Sequence, residues 1–222
     1  LPPAMDWSTR GIVNRVKEQG ACSSSWAFSV TGALEGQHAI QKGARVDLSE
    51  QQLIDCATNG ANAGCSGGSM IDAYEYIMQN NGLDTEPTYP YVGEVLFVLH
   101  QYCHPRKDTI GETMSGFRYI ASGSEEDLMD AVAFVGPVSV AVDASHQELR
   151  NFVTGIYYEP ACNSNPNLAM LVVGYGFDSK EGDYWILKNA WGTSWGEKGY
   201  MKLARNRNNH CGIASMATTP TL

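Results

Sequence analysis

The chain changes its periodicity halfway along, and this change constrains the fold more than any other feature of the sequence. In the first half, apolar residues recur at helical spacing in three segments, which begin at Ser25, Asp47 and Ser69. In the second half, glycines separate short runs rich in β-branched and aromatic residues, at 136–144, 169–176, 183–192 and 199–205. Helices followed by strands predict an α+β chain with two lobes, and a cleft between lobes is a common place for a binding site.

Local signals predict where the helices of the first half begin and end. Ser49 is predicted to cap the second helix, and Gln52, three residues later, completes the sequence pattern of a capping box. Gly82 is predicted to end the third helix, because glycine is a usual residue at a helix C-terminus. The stretch 89–113 has no clear period and is predicted to be a long surface connection. Its most apolar run, Glu94–His100, is far shorter than the roughly 20 residues that a membrane span needs, so no membrane span is predicted.

The composition excludes two classes of partner. The chain has 222 residues, enough to bury a sizeable core, and its formal net charge at pH 7 is −9. An acidic chain is repelled by nucleic acid and by anionic membrane surfaces, so we expect neither as a partner. No histidine stands near a cysteine at zinc-binding spacing, and we therefore expect no metal and no cofactor.

The cysteines predict an oxidising environment. The chain has six of them, with no CxxC pair. An even number without a metal-binding pattern favours three disulfides, although the count alone leaves the pairing open. Leu1-Pro2-Pro3 looks like a mature start left after processing of a precursor, so we expect an extracellular, secretory or lysosome-like location. No N-x-[ST] acceptor is present, and no N-linked glycan is expected.

Seven separated segments resemble the papain-like cysteine proteases of the cathepsin L type, in the order of that family. They are QGACSSSWAFS, LSEQQLIDC, GCSGG, GPVSVAVDA, LVVGYG, YWILKNAWGTSWGEKGY and NHCGIA. The resemblance implies a papain-like fold, with a helical lobe at 12–114, a β-barrel-like lobe formed by 1–11 and 115–222, and an active-site cleft between them. It also implies three disulfides, Cys22–Cys65, Cys56–Cys103 and Cys162–Cys211.

The positions that carry catalysis in this family are only partly kept. Family members attack with a cysteine thiolate at a helix N-terminus, use a histidine as base, orient it with an asparagine and bind the oxyanion with a glutamine. By this resemblance Gln19 is the oxyanion glutamine and Asn189 is the orienting asparagine. Ser25 stands in place of the cysteine, and Leu168 stands in place of the histidine. Because leucine neither accepts nor donates a proton, the chain is predicted not to be an effective peptidase.

Other interpretations of these positions remain open. Ser25 also suits the N-cap or first turn of a helix. His146, at the end of the predicted strand VSVAVDASH, is expected on the rim of the cleft, too distant to act as a substitute base. His210 directly precedes a cysteine and is expected to be structural. A histidine at position 168 would restore a Ser–His–Asn arrangement and would predict a silicatein-type hydrolase.

The resemblance also assigns a binding cleft. Gly67 and Gly68 offer bare backbone to an extended peptide. The residues expected to line the main specificity pocket are Ser69, Met70, Ala141 and Met216. The two methionines also suit a plain core position. Trp191 is expected beside Asn189, where family members shield the histidine. An extended peptide is therefore an expected ligand even without cleavage.

Two kinds of function fit a cathepsin L relative of this composition. The preferred hypothesis is a silicatein-like protein, because silicateins carry serine at the nucleophile position and because the segment 114–128 and the terminal PTL resemble them. Such a chain would self-assemble into a filament and would bind silica or silicic acid through the hydroxyl groups of Ser23, Ser24 and Ser25. Without the histidine, silica-condensing or hydrolytic activity would be weak at most.

The second hypothesis is a testin-like pseudoprotease, a secreted protein that binds peptides or proteins. A working protease in which Ser25 was introduced to trap a complex is a further alternative. Leu168 argues against it, because one change at the nucleophile is enough to abolish activity.

Overall fold

The computed structural model describes residues 1–94, 103–163 and 165–222. The predicted apolar run Glu94–His100 lies outside the described residues, apart from Glu94 itself. No helix in the described part of the chain is long and apolar enough to cross a membrane. The α-helices of the described residues are α1 (Ser25–Lys42), α2 (Glu50–Cys56), α3 (Met70–Gln79), α4 (Glu125–Phe134) and α5 (Gln147–Arg150).

Only half of the predicted capping box forms at the start of α2. Ser49 is the N-cap, and its Oγ accepts a hydrogen bond from the backbone N–H of Gln52 at 3.0 Å. The side chain of Gln52 does not return to Ser49, because it is used elsewhere. Its Oε1 accepts from the buried backbone N–H of Asp84 at 2.7 Å, and its Nε2 donates to the hydroxyl of Tyr76 at 3.1 Å. A buried backbone donor needs a partner, and this need outweighs the local cap.

The end of α3 differs from the prediction in one detail. The helix stops at Gln79, and the residue in the left-handed region is Asn81, with φ 59°. The N–H of Asn81 donates to Met78 O, and the N–H of Gly82 donates to Ile77 O. These two bonds form a Schellman motif, in which Asn81 takes the position that glycine usually holds.

The second half of the chain forms most of one eight-stranded sheet. Its strands are β1 (Met5–Asp6), β4 (Gly116–Tyr119), β5 (Val138–Val142), β6 (Ile156–Tyr157), β7 (Leu168–Asp178), β8 (Gly182–Lys188), β9 (Tyr200–Ala204) and β10 (Thr218–Thr221). The order is β4-β10-β5-β7-β8-β9-β6, with β1 paired to β7, and all pairs are antiparallel except β6 with β9.

A separate pair, β2 (Leu83–Asp84) and β3 (Ile110–Glu112), lies among the helices. The stretch 89–113, predicted to be a surface connection without regular structure, therefore contains a strand at its end. This strand, β3, forms because its backbone pairs with the extended residues 83–84 of β2.

Helix α1 lies close to the sheet, and small residues make this approach possible. A Cβ on Gly32 would lie 2.9 Å from a methyl group of Leu171 in β7. Every residue of β5 is buried, because the strand is covered on both sides, and its Ser139 hydrogen-bonds to Ser29 of α1. One core lies within the sheet and another among α1, α2 and α3, so α1 joins the two halves.

The structure contains the three disulfides that the resemblance implies. They are Cys22–Cys65, Cys56–Cys103 and Cys162–Cys211, and no free cysteine remains. The lobe boundaries at 12–114 and 115–222 stay a prediction.

Candidate active-site cleft

A cleft of about 680 Å³ lies where α1 meets the sheet. It brings together residues that are distant in sequence. The predicted site residues that line it are Gln19, Ser25, Gly67, Gly68, Ser69, Met70, Ala141, Leu168, Trp191 and Met216. Asn189 does not line it. Ser145, Arg150, Asn167 and Ala169 also line the cleft, although the sequence analysis did not predict them as site residues.

Ser25 is the first residue of the 18-residue helix α1. Its position is fixed locally, since the preceding turn carries Cys22, which is bonded to Cys65. Ser24 occupies the N-cap position and makes no side-chain cap bond. The first turn of a helix has backbone N–H groups without intrahelical partners and carries a partial positive charge. In a protein with a thiol here, this charge would stabilise a thiolate.

The hydroxyl of Ser25 faces a hydrogen-bond donor. The backbone N–H of Ala169 donates to Ser25 Oγ at 3.2 Å. Ala169 is the second residue of β7, in register opposite Ala141 of β5. Within the described part of the chain, no acceptor takes the proton of the Ser25 hydroxyl. A serine nucleophile needs a base that removes this proton during attack. The N–H of Ala169 donates to the oxygen and removes no proton, so Ser25 is left without a base.

Leu168 closes the site with an apolar side chain. It is the first residue of β7, is 7% exposed and belongs to the core of the sheet. The side chain that occupies the expected position of the base is therefore held among apolar neighbours. It contributes no proton transfer and no charge.

Asn189 is buried behind the cleft without the partner that its family role requires. It is 3% exposed, and its Oδ1 accepts from the backbone N–H of Ala190 at 2.8 Å. Its Nδ2 has no hydrogen-bond partner among the described residues. A buried donor without a partner lowers the stability of the folded state by about 1–3 kcal/mol, so a stabilising role does not explain the position of this amide.

Gln19 lines the cleft and is held in place by contacts with the backbone. Its Nε2 donates to Cys22 O at 2.7 Å, and its own N–H donates to Ala190 O at 2.8 Å. The amide nitrogen carries two N–H donors, so one of them remains for an oxyanion in the cleft. Its backbone bond connects the segment before α1 to the strand region that holds Asn189.

The other histidines do not replace the missing base. His146 does not end β5, which stops at Val142, but stands at the N-cap of α5 with its Nε2 3.8 Å from Asp143 Oδ2. His210 is buried, accepts a hydrogen bond from the backbone N–H of Glu159 at 3.1 Å and stacks on Tyr158. Burial lowers the pKa of His210, against the opposing effect of nearby carboxylates. No described histidine lines the cleft.

The two methionines of the expected specificity pocket differ in environment. Met70 is 4% exposed and lies in the helical core, whereas Met216 is 47% exposed at the mouth of the cleft. The adjacent glycines also differ. A Cβ on Gly68 would lie 2.6 Å from the ring of Trp26, whereas a Cβ on Gly67 would meet open space. Gly68 therefore permits close packing, and the backbone of Gly67 is accessible to a ligand.

Comparisons with known proteins show the family of the chain. The family model of the papain family cysteine proteases matches residues 1–221. Cathepsin L of Sarcophaga peregrina is 52% identical over 223 residues, covering 100% of this chain and 64% of the relative. Cathepsin L1 of Drosophila melanogaster is 50% identical, with 99% and 58% covered. Testin-2 of Mus musculus is 49% identical, with 99% and 66% covered. The chain thus spans less than two thirds of the length of these relatives.

A solved structure confirms the fold. Digestive procathepsin L 3 of the Tenebrio molitor larval midgut superposes with a TM-score of 0.93 at 46% identity, covering 100% of this chain and 70% of that one. The papain-like arrangement of a helical part and a sheet part, predicted from the sequence, is therefore correct. The chain belongs to the papain family of cysteine proteases and, within it, to the cathepsin L type.

Proposed function

We propose that this chain is a cathepsin L-type protein that binds extended peptides in its cleft and does not cleave them. One observation carries the proposal. Leu168 occupies the position expected for the base, and no described histidine lines the cleft beside Ser25. The relatives named as cathepsin L or as digestive cysteine proteinases are proteases by name, so this chain would differ from them in activity and not in fold.

The expected loss of activity is large. Members of a catalytic group act as a unit, and removing one of them already costs most of the rate. Here both the thiol and the base are replaced. What remains is the binding site and a helix N-terminus, which support at most a small residual rate.

The cleft keeps the features that hold a peptide. Gly67 presents accessible backbone, and backbone pairing gives affinity for an extended chain without reading its side chains. Ser69, Ala141 and Met216 line the same cleft. Trp191 packs edge-to-face on Trp195 at 5.3 Å between ring centroids, which fixes the opposite wall.

Restoring the two lost groups tests this proposal. We expect Ser25→Cys combined with Leu168→His to cleave a fluorogenic cathepsin L peptide, while either single variant stays inactive. Wild type should bind the same peptide, measured by fluorescence anisotropy, without releasing product. Cleavage by wild type at a rate comparable to the double variant would refute the proposal. Absence of peptide binding by wild type would refute it equally.

A silica-templating filament is the second candidate, supported by the resemblance of the segment 114–128. The hydroxyl surface is smaller than predicted. Ser23 and Ser25 line the cleft, but Ser24 is fully buried, with its Oγ 2.9 Å from the hydroxyl of Tyr91. Incubation with a silicon alkoxide would measure silica yield. Loss of yield in Ser23→Ala with Ser25→Ala would support this function, and an unchanged yield would count against it.

The expected compartment follows from the same chemistry. Three disulfides suit an oxidising environment such as the secretory pathway, and relatives include structures described as procathepsins. We propose a secreted or lysosome-like location for this chain.

A further inference from the structure

We infer that the chain carries a zinc-binding site, formed by His146, Glu148 and Glu159, beside one end of the cleft. One ring nitrogen and one oxygen from each carboxylate lie within 4.8 Å of one another. Zinc bonds to nitrogen and oxygen are about 2.0–2.2 Å long, so bound ligand atoms stand roughly 3–3.5 Å apart. Small rotations of exposed side chains close that difference.

The backbone already holds the three residues in place. His146 is the N-cap of α5, and Glu148 lies in the first turn of the same helix. Glu159 comes from a different segment, three residues before the disulfide Cys162–Cys211. Its backbone N–H donates to His210 Nε2 at 3.1 Å. A cation would therefore join two segments whose relative position is fixed by other bonds.

The carboxylates of this cluster have few neutralising contacts within the described residues, where Glu159 Oε1 accepts a hydrogen bond from the backbone N–H of Ala161 at 2.8 Å. Glu148 and Glu159 form no ion pair with a lysine or arginine among the described residues, although their carboxylates lie close together. Like charges at this separation repel each other, and a divalent cation removes that cost. The cluster thus presents two carboxylates and one imidazole to a single point.

A third carboxylate lies behind the histidine. Asp143 is fully buried, and its Oδ2 is 3.8 Å from His146 Nε2. Backbone N–H groups of Ser145 and Asn163 hold it in place. At 3.8 Å the two groups are not hydrogen-bonded, but a small rotation of the ring would bring His146 within reach of Asp143, and a carboxylate that orients a histidine is the usual support of a metal ligand. An imidazole among the ligands also favours zinc over magnesium and calcium, which prefer oxygen ligands alone.

The position of the site connects it with the cleft. Ala144 and Ser145, which directly precede His146, line the cleft. Three protein ligands leave coordination positions for water or for a carboxylate of a bound molecule. The inference does not depend on the proposed peptide binding, since zinc binding is measured without any peptide.

Isothermal titration of the chelator-treated chain with zinc chloride tests the proposal. We expect one site per chain, and we expect His146→Ala, Glu148→Gln and Glu159→Gln each to weaken it at least about tenfold, because loss of a mere supporting residue already costs 10–100-fold. His104→Ala is the matched control, because His104 is exposed and outside the cluster. It should bind zinc like wild type. The cysteines do not compete, because all six are in disulfides.

A spectroscopic readout separates ligation from a structural effect. Copper(II) bound to wild type should show nitrogen hyperfine coupling from one imidazole, and His146→Ala should lose it while keeping its circular dichroism spectrum. Three results would each overturn the proposal. The first is that wild type does not bind zinc. The second is that wild type and the three ligand variants bind zinc with equal affinity. The third is that magnesium binds as tightly as zinc and that His146→Ala does not weaken magnesium binding.

Discussion

Lys17 is a buried cation surrounded by carboxylates, and its removal is the strongest test of how the helical half is held together. Its Nζ lies 2.7 Å from Glu50 Oε1, 2.6 Å from Asp47 Oδ1 and 3.3 Å from Glu35 Oε1. The side chains of Lys17 and Glu50 are 9% and 1% exposed. Burial alone would lower the pKa of Lys17, but the surrounding carboxylates outweigh burial and raise it, so Lys17 stays charged.

We expect Lys17→Met to lower the free energy of unfolding by about 3–5 kcal/mol near neutral pH, because it leaves buried carboxylates without their cation. The loss should be smaller at pH 5. Burial raises the pKa of Glu50 and Lys17 lowers it, so without Lys17 this pKa rises further and Glu50 takes up a proton as the pH falls. Each unit of pKa shift corresponds to about 1.4 kcal/mol.

Urea unfolding at pH 5 and pH 8 measures both effects. Arg15→Met is the matched control, because Arg15 also faces Asp47, at 3.8 Å, but its side chain is 67% exposed. An exposed pair contributes about 0–1 kcal/mol, so this control should change little. A loss below about 1 kcal/mol for Lys17→Met at pH 8, or an equal loss at both pH values, would show that the reasoning is wrong.

Three further changes follow from buried contacts. Burial raises the pKa of Glu50 to about 7, so the folded state holds a proton that the unfolded state releases near pH 4.3. Wild type should therefore lose stability as the pH rises from about 4.3 to 7, and Glu50→Gln should flatten this slope in urea unfolding. Gly68→Ala should cost about 1–3 kcal/mol by forcing a Cβ against Trp26, whereas Gly116→Ala, which meets no atom within 4 Å, should not. Ser29→Ala should lower thermal stability by about 1–3 kcal/mol, because Ser29 Oγ donates to Met170 O at 2.6 Å in the core.

The sequence predicted the parts of the structure that depend on local chemistry. The starts of α1 and α2 follow from Ser25 and Ser49, since capping and apolar spacing act within one turn. The disulfide pairing needed the family resemblance, because spacing alone permits many pairings. The choice of Asn81 over Gly82 for the left-handed position could not be predicted, because both residues adopt that conformation.

The parts that remained hidden depend on long-range contacts. The contact of Ala169 with Ser25 uses a backbone N–H, which has no sequence signature. Lys17 and its carboxylates are separated by 18 to 33 residues, and only folding brings them together. The burial of Ser24 between two accessible serines also depends on a distant partner, the hydroxyl of Tyr91.

The hydrogen bond between Ser25 and Ala169 has a mechanical consequence. It connects the beginning of α1 to the beginning of β7. The hydroxyl therefore bridges the boundary between the helical part and the sheet, which we call the seam. A thiol is a weak acceptor and would hold this seam less firmly. The serine therefore lacks the reactivity of a thiol, but it strengthens the contact between α1 and β7. Faster hydrogen exchange at the Ala169 amide in Ser25→Ala would reveal it, and an unchanged rate would show that the seam is held by other contacts.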